Sequence, residues 1–125
     1  MIVGIGIDLA EVRRVSELLE KYSGRFALRV FADGERDYFL HMPNPGQHFA
    51  ARFAAKEAFL KAIGTGFARG ISWKEIEVVK RPSGEPILQL SGQALAEMQA
   101  RGATRAHVSL THTHEHAAAV VVLEG

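Results

Sequence analysis

The chain has 125 residues, enough for one domain with a single hydrophobic core. Its hydrophobic fraction of 47% excludes global disorder, and its net charge of +1 excludes nucleic-acid or membrane binding driven by overall charge. The absence of cysteine excludes disulfides, thiol nucleophiles and thiolate metal sites. The opening MIVGIGIDLAEV lacks the features of a signal peptide, and no apolar run approaches the roughly 18 residues that span a bilayer, so we expect a cytoplasmic protein.

The first part of the chain predicts a strand followed by a helix. Residues 2–8 alternate isoleucine and valine with glycine, which indicates a short buried strand. Gly4 and Gly6 would weaken such a strand, so they indicate close approach of another backbone or a ligand. The helix that follows has apolar residues at helical spacing and a stop at Gly24.

The middle of the chain predicts two more helices. Asp33 is placed to cap a short helix that ends near Leu40. The MPNPG stretch at 42–46 predicts a loop, because two prolines and a glycine oppose regular structure. The longest predicted helix, from about Gln47 to Ile63, combines an apolar stripe with many alanines that allow close packing.

The second half of the chain predicts strands on either side of a helix. In chain order we expect a helical turn at the capping box Ser72–Glu75, a hairpin of Ile76–Lys80 and Pro86–Leu90, a helix Gln93–Ala100, and strands Ala106–Thr111 and Ala117–Leu123. This order predicts an α+β fold in which an antiparallel sheet packs on the long alanine-rich helix. We expect a single small domain that spans residues 1–125.

Asp8 is a candidate for chemistry because it stands where an apolar strand passes into a helix. A carboxylate there would project from a rigid position and meet the favourable dipole of the helix start. The alternative is structural, an N-cap or a first-turn acid. The GIGID sequence is not a dinucleotide-binding fingerprint, since the third glycine is missing.

The long helix carries charged side chains that admit two interpretations. Lys61 follows Glu57 by four residues, so the two can form an ordinary surface ion pair. Arg52 lies on the other flank of the apolar stripe, and the helix runs into Gly-Thr-Gly. These features suggest an anion site instead, since arginine and lysine bind phosphate oxygens and glycine lets a ligand approach the backbone.

The segment HVSLTHTHEH contains four of the six histidines. On a strand, His112, His114 and His116 would point to one side, which is a possible zinc arrangement. A turn would break that alternation, and no second shell that could fix the ligands is apparent. The alternative for His114 and His116 is a pair of solvent-exposed turn residues.

Four segments together resemble the holo-acyl-carrier-protein synthase family. They are the start GIGIDLAEV, the helix FAARFAAKEAFLKAIGTG, the hairpin with GEP and the ending HVSLTHTHEHAAAVVV. They occur in the order and spacing of that family and span nearly the whole chain. Its members are phosphopantetheinyl transferases, which move the phosphopantetheine arm of coenzyme A onto a serine of acyl carrier protein and release adenosine 3′,5′-bisphosphate. The resemblance therefore implies a phosphopantetheinyl-transferase-like fold and this activity, in support of fatty acid biosynthesis.

The resemblance also implies roles for the acids. Asp8 and Glu57 match the acids that bind magnesium together with the diphosphate of coenzyme A, and magnesium suits two carboxylates completed by phosphate oxygens and water. Lys61 and Gly64 match phosphate-contacting positions, where Lys61 would assist the metal in stabilising the leaving phosphate. A base must also take the serine proton, for which our choice is Glu57 through a metal-bound water.

The remaining family positions concern the two substrates and the assembly. Arg52, Pro86, His112 and Thr113 match positions that hold the adenosine and 3′-phosphate end of coenzyme A. Arg14 matches a basic residue that faces the acidic carrier protein. Arg13, Lys21 and Arg25 lie close to it in the sequence, and we expect them to contribute to the same carrier-binding face. The resemblance further implies a homotrimer, with coenzyme A in clefts between subunits.

Two other functions fit the same residues. A metal-dependent hydrolase of a nucleotide or phosphoester could use the pair Asp8 and Glu57, and it predicts turnover of coenzyme A or a nucleotide without an acceptor protein. A non-catalytic ligand-binding domain is the second alternative, and it predicts no effect of a divalent metal.

Overall fold

The computed structural model describes residues 1–66 and 70–125, without the side chains of Tyr22 and Ser23. Its elements in chain order are β1 (Ile2–Glu11), α1 (Val12–Glu20), a 3-10 turn (Lys21–Gly24), α2 (Arg25–Val30), α3 (Asp33–Leu40), α4 (Pro45–Ile63), a second 3-10 turn (Trp73–Glu75), β2 (Ile76–Lys80), β3 (Pro86–Leu90), α5 (Gly92–Ala100), β4 (Arg105–His112) and β5 (His116–Glu124). The predicted α+β class is confirmed.

Strands β1, β5 and β4 form an antiparallel sheet in that order, and α4 packs across its inner face. The closest approach lies at the glycines of β1. A Cβ added to Gly6 would lie 1.9 Å from the carbonyl oxygen of Ala58, and one added to Gly4 would lie 2.4 Å from that of Ala62. The prediction that these glycines mark close approach of another backbone is therefore confirmed.

Helix α4 is buried on most of its circumference, which explains why alanine occupies so many of its positions. It begins at Pro45, two residues before the predicted start at Gln47. Proline is well tolerated in the first helical turn, because the N–H that it lacks has no intrahelical partner there. The prediction of a loop over 42–46 is therefore wrong for its last two residues.

The chain between β1 and α3 differs from the prediction in two ways. Strand β1 continues to Glu11, which pairs with His116, so Asp8 lies inside a strand and Glu11 is the N-cap of α1. The predicted first helix corresponds to α1 and the 3-10 turn that ends at Gly24, whereas α2, which begins at Arg25, was not predicted. Gly24 has a φ of +80°, a left-handed conformation that glycine adopts without strain, so it does mark the break.

Helix α3 is capped differently from the prediction. Its N-cap is Ala32, and Asp33 is the first helical residue, paired through its carboxylate with Arg36. The cap is supplied by Glu35, whose Oε1 accepts the backbone N–H of Ala32 at 3.0 Å. The side chain of Asp33 therefore does not cap the helix. Glu35, three residues after the N-cap Ala32, performs this function.

The second sheet is the predicted hairpin of β2 and β3. The capping box is confirmed by a hydrogen bond of 3.0 Å from the N–H of Ser72 to Oε1 of Glu75. The same carboxylate also accepts the N–H groups of Gln93 and Ala94, at 3.1 and 3.4 Å. Glu75 therefore satisfies the starts of two helical segments and joins the hairpin to α5.

The outer face of the three-stranded sheet is apolar and open along β1. Ile5, Ile7 and Leu9 retain 65%, 67% and 67% of their accessible surface. Ala118, Val120 and Val122 of β5 lie beside them on the same face. Within the described ranges, no helix is long and apolar enough to cross a membrane.

Candidate active site

Asp8 and Glu57 meet between β1 and α4. Asp8 points from the inner face of the strand, where its side chain keeps 10% of its exposure. Its carboxyl group faces that of Glu57, which projects from the helix above and lines the same cavity. Desolvation by burial, and then the facing charge of Asp8, raise the pKa of Glu57 to about 7. Two carboxylates this close attract a proton or a cation.

Lys61 completes this cluster by binding the strand rather than its helical neighbour. Its Nζ donates to Oδ1 of Asp8 at 2.9 Å and to the carbonyl oxygen of Ile7 at 3.1 Å. The hydrogen bond and the charge of Asp8 raise the pKa of Lys61. The ion pairs of the described residues join Lys61 to Asp8 and not to Glu57, so the simple surface-pair interpretation is not supported.

Glu57 stands between two cavities. One, of about 400 Å³, is lined by Glu57, Leu60, Lys61, Gly64 and Gly66. The other, of about 260 Å³, lies between β1 and α1 and is lined in part by Asp8, Glu57, Arg14 and Leu18. A substrate on the glycine side and a second substrate at α1 would therefore meet at the same carboxylate. A further cavity, of about 710 Å³, lies on another face of α1 and includes none of the predicted site residues.

The donor set at Asp8 and Glu57 fits magnesium. In the described part of the chain no three His, Cys, Asp or Glu side chains come together, so an all-protein metal cage is absent there. Magnesium usually takes one or two carboxylates and completes its shell with substrate phosphates and water. The two carboxylates, with a lysine beside them and an open cavity, match that requirement.

A second cluster surrounds Arg52 on another face of α4. Arg52 is 8% exposed, its guanidinium carbon lies 4.4 Å from the centre of the Phe39 ring, and its buried Nε has no hydrogen-bond partner in the described structure. The ring of His48 stacks on Phe39 at 5.5 Å and meets the ring of His112 edge-on at 5.9 Å. This arrangement places the predicted residues Arg52 and His112 on either side of the stacked rings of Phe39 and His48.

The other predicted ligand positions lie at the ends of elements. Gly64 is the C-cap of α4, with a φ of +79°, and lines the cavity beside Lys61. Thr113 follows β4, and its Oγ1 accepts the N–H groups of Glu115 and His116 at 3.3 and 3.1 Å. Pro86 begins β3 and pairs with Lys80 at the end of β2.

The histidine-rich segment contains a turn at residues 113–115, so the prediction of a turn residue is confirmed for His114 and wrong for His116, which is the first residue of β5. His112 ends β4, His116 begins β5, and His114 lies between them. His114 and His116 are both exposed, and Nδ1 of His114 lies 3.4 Å from Nε2 of Gln47. The turn breaks the alternation that a zinc site would need.

The basic residues predicted to face a carrier protein are exposed around α1. Arg13 pairs with Glu17 at 3.2 Å on the surface of the helix. Lys21 is the C-cap residue, and Arg25 belongs to the next helix. Arg14 differs from these because it also lines the cavity of Asp8 and Glu57.

Sequence reasoning missed three residues around these clusters. Lys56 and Glu35 form a fully buried ion pair of 2.8 Å, to which the sequence analysis assigned no role. The available signal was a lysine that directly follows the apolar run at residues 53–55 on the helix. His48 gave no signal, since its ring partners Phe39 and His112 are distant in the sequence.

Comparison with known proteins identifies relatives over the full chain. The model of the 4′-phosphopantetheinyl transferase superfamily matches residues 4–121. A holo-[acyl-carrier-protein] synthase of Syntrophus aciditrophicus is 46% identical over 125 residues, covering 100% of this chain and 98% of the relative. One from Nitratidesulfovibrio vulgaris (strain DP4) is 51% identical over 126 residues and covers 99% of both chains.

Solved structures agree with these relatives. The holo-[acyl-carrier-protein] synthase of Neisseria meningitidis superposes with a TM-score of 0.89 at 34% identity, over 100% of both chains. That of Bacillus anthracis, in complex with CoA (3′,5′-ADP), has a TM-score of 0.81 at 37% identity and covers 98% of this chain and 96% of its own. Both likenesses extend over the elements that carry the two clusters.

Proposed function

Because this chain belongs to the 4′-phosphopantetheinyl transferase superfamily, we propose that it transfers the phosphopantetheine arm of coenzyme A to a serine of apo acyl carrier protein. Adenosine 3′,5′-bisphosphate is the second product, and the holo carrier would serve fatty acid biosynthesis in the cytoplasm. The observation that carries this proposal is the position of Glu57, paired with Asp8 and exposed to two cavities. A nucleotide-bearing substrate and a protein hydroxyl can approach this carboxylate from different sides.

The proposed chemistry assigns one task to each residue of the first cluster. Asp8 and Glu57 would hold magnesium, which when bound neutralises negative charge on the diphosphate of coenzyme A. Lys61 would exchange its contact with Asp8 for the phosphate oxygens and stabilise the leaving group. Glu57 is our proposed base for the serine proton, because it lines the cavity beside α1 from which a protein hydroxyl would approach.

Mass spectrometry of apo acyl carrier protein tests the function directly. Incubation with coenzyme A, magnesium and this protein should add the mass of one phosphopantetheine group, and chelation of the metal should prevent the addition. Release of adenosine 3′,5′-bisphosphate without an acceptor would favour the hydrolase instead. An unmodified carrier and intact coenzyme A would contradict both enzymes and favour a binding domain.

We further propose that the active assembly is a homotrimer with shared clefts. The open apolar face of β1 supports burial against another copy, because Ile5, Ile7 and Leu9 would otherwise remain in water. Arg52 and Glu57 are five positions apart on α4, which turns their side chains about 140° from one another. One coenzyme A could therefore contact the acids of one subunit and the Arg52 cluster of the next.

The assembly is tested by Ile5→Glu, which places a charge on this face without changing Asp8. We expect light scattering to report a monomer and transfer to fall by at least about tenfold, since a buried unpaired charge opposes association. Leu40→Glu is the matched control, because Leu40 is 65% exposed but lies on α3. A wild-type monomer with full activity would contradict the shared cleft.

Docking of the carrier is tested by Arg14→Glu. Arg14 is exposed on α1 beside the cavity that contains Glu57, so we propose that it attracts acidic side chains of the carrier near the reacting serine. We expect KM for the carrier to rise about tenfold at low salt, with less than about twofold change in KM for coenzyme A. Wild-type transfer should slow as salt rises, and the variant should respond less.

The control for this measurement is Arg81→Glu. Arg81 is an exposed arginine of the β2–β3 turn that pairs with Glu85 at 3.4 Å, away from α1. It makes the same change of net charge and should leave both KM values unchanged. If Arg14→Glu matches wild type at low salt, the docking face lies elsewhere.

A further inference from the structure

The Arg52 cluster has an excess of positive groups. Arg52 and His48 come from α4, His112 from β4 and Lys80 from β2, and the charges of the other three all act on His48. Tyr38 of α3 lies 3.4 Å from Nζ of Lys80 through its hydroxyl group. The acids on the neighbouring wall are Glu35 and Glu77.

The carboxylate of Glu35 already has hydrogen-bond partners outside the cluster. Glu35 binds Nζ of Lys56 at 2.8 Å and the N–H groups of Ala32 and Val78, each at 3.0 Å. Glu77 is then a single carboxylate beside two permanently charged side chains, those of Arg52 and Lys80, and two histidines. Among the residues that the structure describes, the cluster therefore lacks the negative charge that would balance it, and the buried Nε of Arg52 lacks an acceptor.

His48 is placed to respond to such an acceptor. Its ring is held between the parallel face of Phe39 and the edge of His112, one helical turn before Arg52. Burial, followed by the charges of Arg52, His112 and Lys80, lowers the pKa of His48, so the free protein holds this ring neutral near pH 7. A dianionic group beside it would reverse these electrostatic effects and favour the imidazolium form.

We propose that His48 is a further binding residue for the 3′-phosphate of coenzyme A, which it contacts as an imidazolium beside Arg52, so that binding of this phosphate takes up a proton. The inference rests on the proposed use of coenzyme A. It assigns His48 a specificity role, because dephospho-coenzyme A has a neutral hydroxyl at this position and gains nothing from the protonated ring. No covalent step is involved.

Calorimetry with adenosine 3′,5′-bisphosphate tests the proposal without requiring transfer. Binding is measured at pH 7 in Hepes and in Tris, whose different ionisation enthalpies reveal the number of protons exchanged. At this pH a phosphate monoester with a second pKa of about 6 is mainly dianionic, so uptake occurs on the protein. We expect wild type to take up a substantial fraction of a proton with the bisphosphate and less with adenosine 5′-monophosphate.

Two variants locate the proton. His48→Gln and His48→Phe should each lose this uptake and bind the bisphosphate about tenfold more weakly, with less than about twofold change for the monophosphate. His48→Phe keeps an aromatic ring stacked on Phe39 but cannot bind a proton. It therefore separates the effect of protonation from the effect of packing. His41→Gln is the control, since His41 is an exposed residue at the end of α3.

The outcomes separate this inference from the proposed function. Unchanged proton uptake in both His48 variants would assign the proton to another group, such as His112, and overturn the role of His48. Tight binding by wild type without uptake would overturn it as well, while leaving the transferase proposal intact. Failure of wild type to bind the bisphosphate would overturn both.

Discussion

Asp8→Asn and Glu57→Gln are each expected to reduce transfer by at least about 1,000-fold, and Glu57→Gln should also make the metal-free protein more stable at pH 8. Each substitution keeps the shape of the side chain and removes a proposed oxygen ligand, so the loss should appear in kcat rather than in folding. The double variant should be little worse than either single one, because residues that act as a unit are not additive.

The gain in stability follows from the pKa of Glu57. The folded state raises it from 4.5 to about 7, so between these values the folded protein binds more protons than the unfolded chain. Stability from this group is complete below pH 4.5 and is lost as the pH rises towards 7. Glu57 is only partly buried, so we expect a loss of about 1 kcal/mol by pH 8, which Glu57→Gln should avoid.

Thermal unfolding with and without magnesium completes this experiment. Magnesium should raise the Tm of wild type more at pH 8 than at pH 5.5, since it replaces the proton between the carboxylates. It should have little effect on either variant. Asp37→Asn, at an exposed acid of α3, serves as the control. Near-normal activity of Asp8→Asn at saturating magnesium would contradict the assignment of this ligand.

Local patterns predicted most of the elements, because their evidence lies within a few residues. The glycines of β1 indicated close packing before a partner was known, and Ala58 and Ala62 of α4 proved to be that partner. The boundaries were less accurate where a neighbour decides them. Strand β1 extends to Glu11 because His116 of β5 offers it a pairing position, which no property of residues 9–11 indicates.

The candidate site was predictable to a similar degree. The family resemblance singled out Asp8, Glu57 and Lys61, and the structure brings them together. Helical spacing alone favoured a pair between Glu57 and Lys61, whereas the strand beneath the helix supplies a better-placed acceptor in Asp8. Long-range contacts of this kind depend on the packing of α4 on β1, and a periodic pattern contains no information about them.

The contacts of Lys56 are also long-range, and no local pattern predicted them. Among the proposed substitutions, replacement of Lys56 should cause the largest loss of stability. The side chain has no exposed surface. Its Nζ donates to Oε1 of Glu35 at 2.8 Å and to the carbonyl oxygens of Trp73 and Ile76 at 3.2 and 2.6 Å. Through Glu35, which also binds Val78, the pair connects α3, α4 and β2.

Lys56→Met should reduce the free energy of unfolding by about 3–5 kcal/mol, because it removes the partner of a buried carboxylate and leaves two carbonyl groups with one donor fewer. Burial lowers the pKa of Lys56, while the charge of Glu35 and its hydrogen bond oppose this effect. The hydrogen bonds of the Lys56–Glu35 pair, rather than contact with solvent, therefore keep its two side chains charged. Urea unfolding measures the change, with Lys74→Met as an exposed control expected within about 0.5 kcal/mol of wild type.

A double-mutant cycle distinguishes the pair from simple loss of packing. Glu35→Gln should also destabilise the protein, and the combination Glu35→Gln with Lys56→Met should cost less than the sum of the two single changes by about 2 kcal/mol, because neither charge is then left unpaired. Additive losses would show that Lys56 stabilises the fold through its contacts with Trp73 and Ile76 alone. A loss below about 1 kcal/mol for Lys56→Met would show that water reaches Glu35 and that the pair does not connect α3, α4 and β2 as the structure indicates.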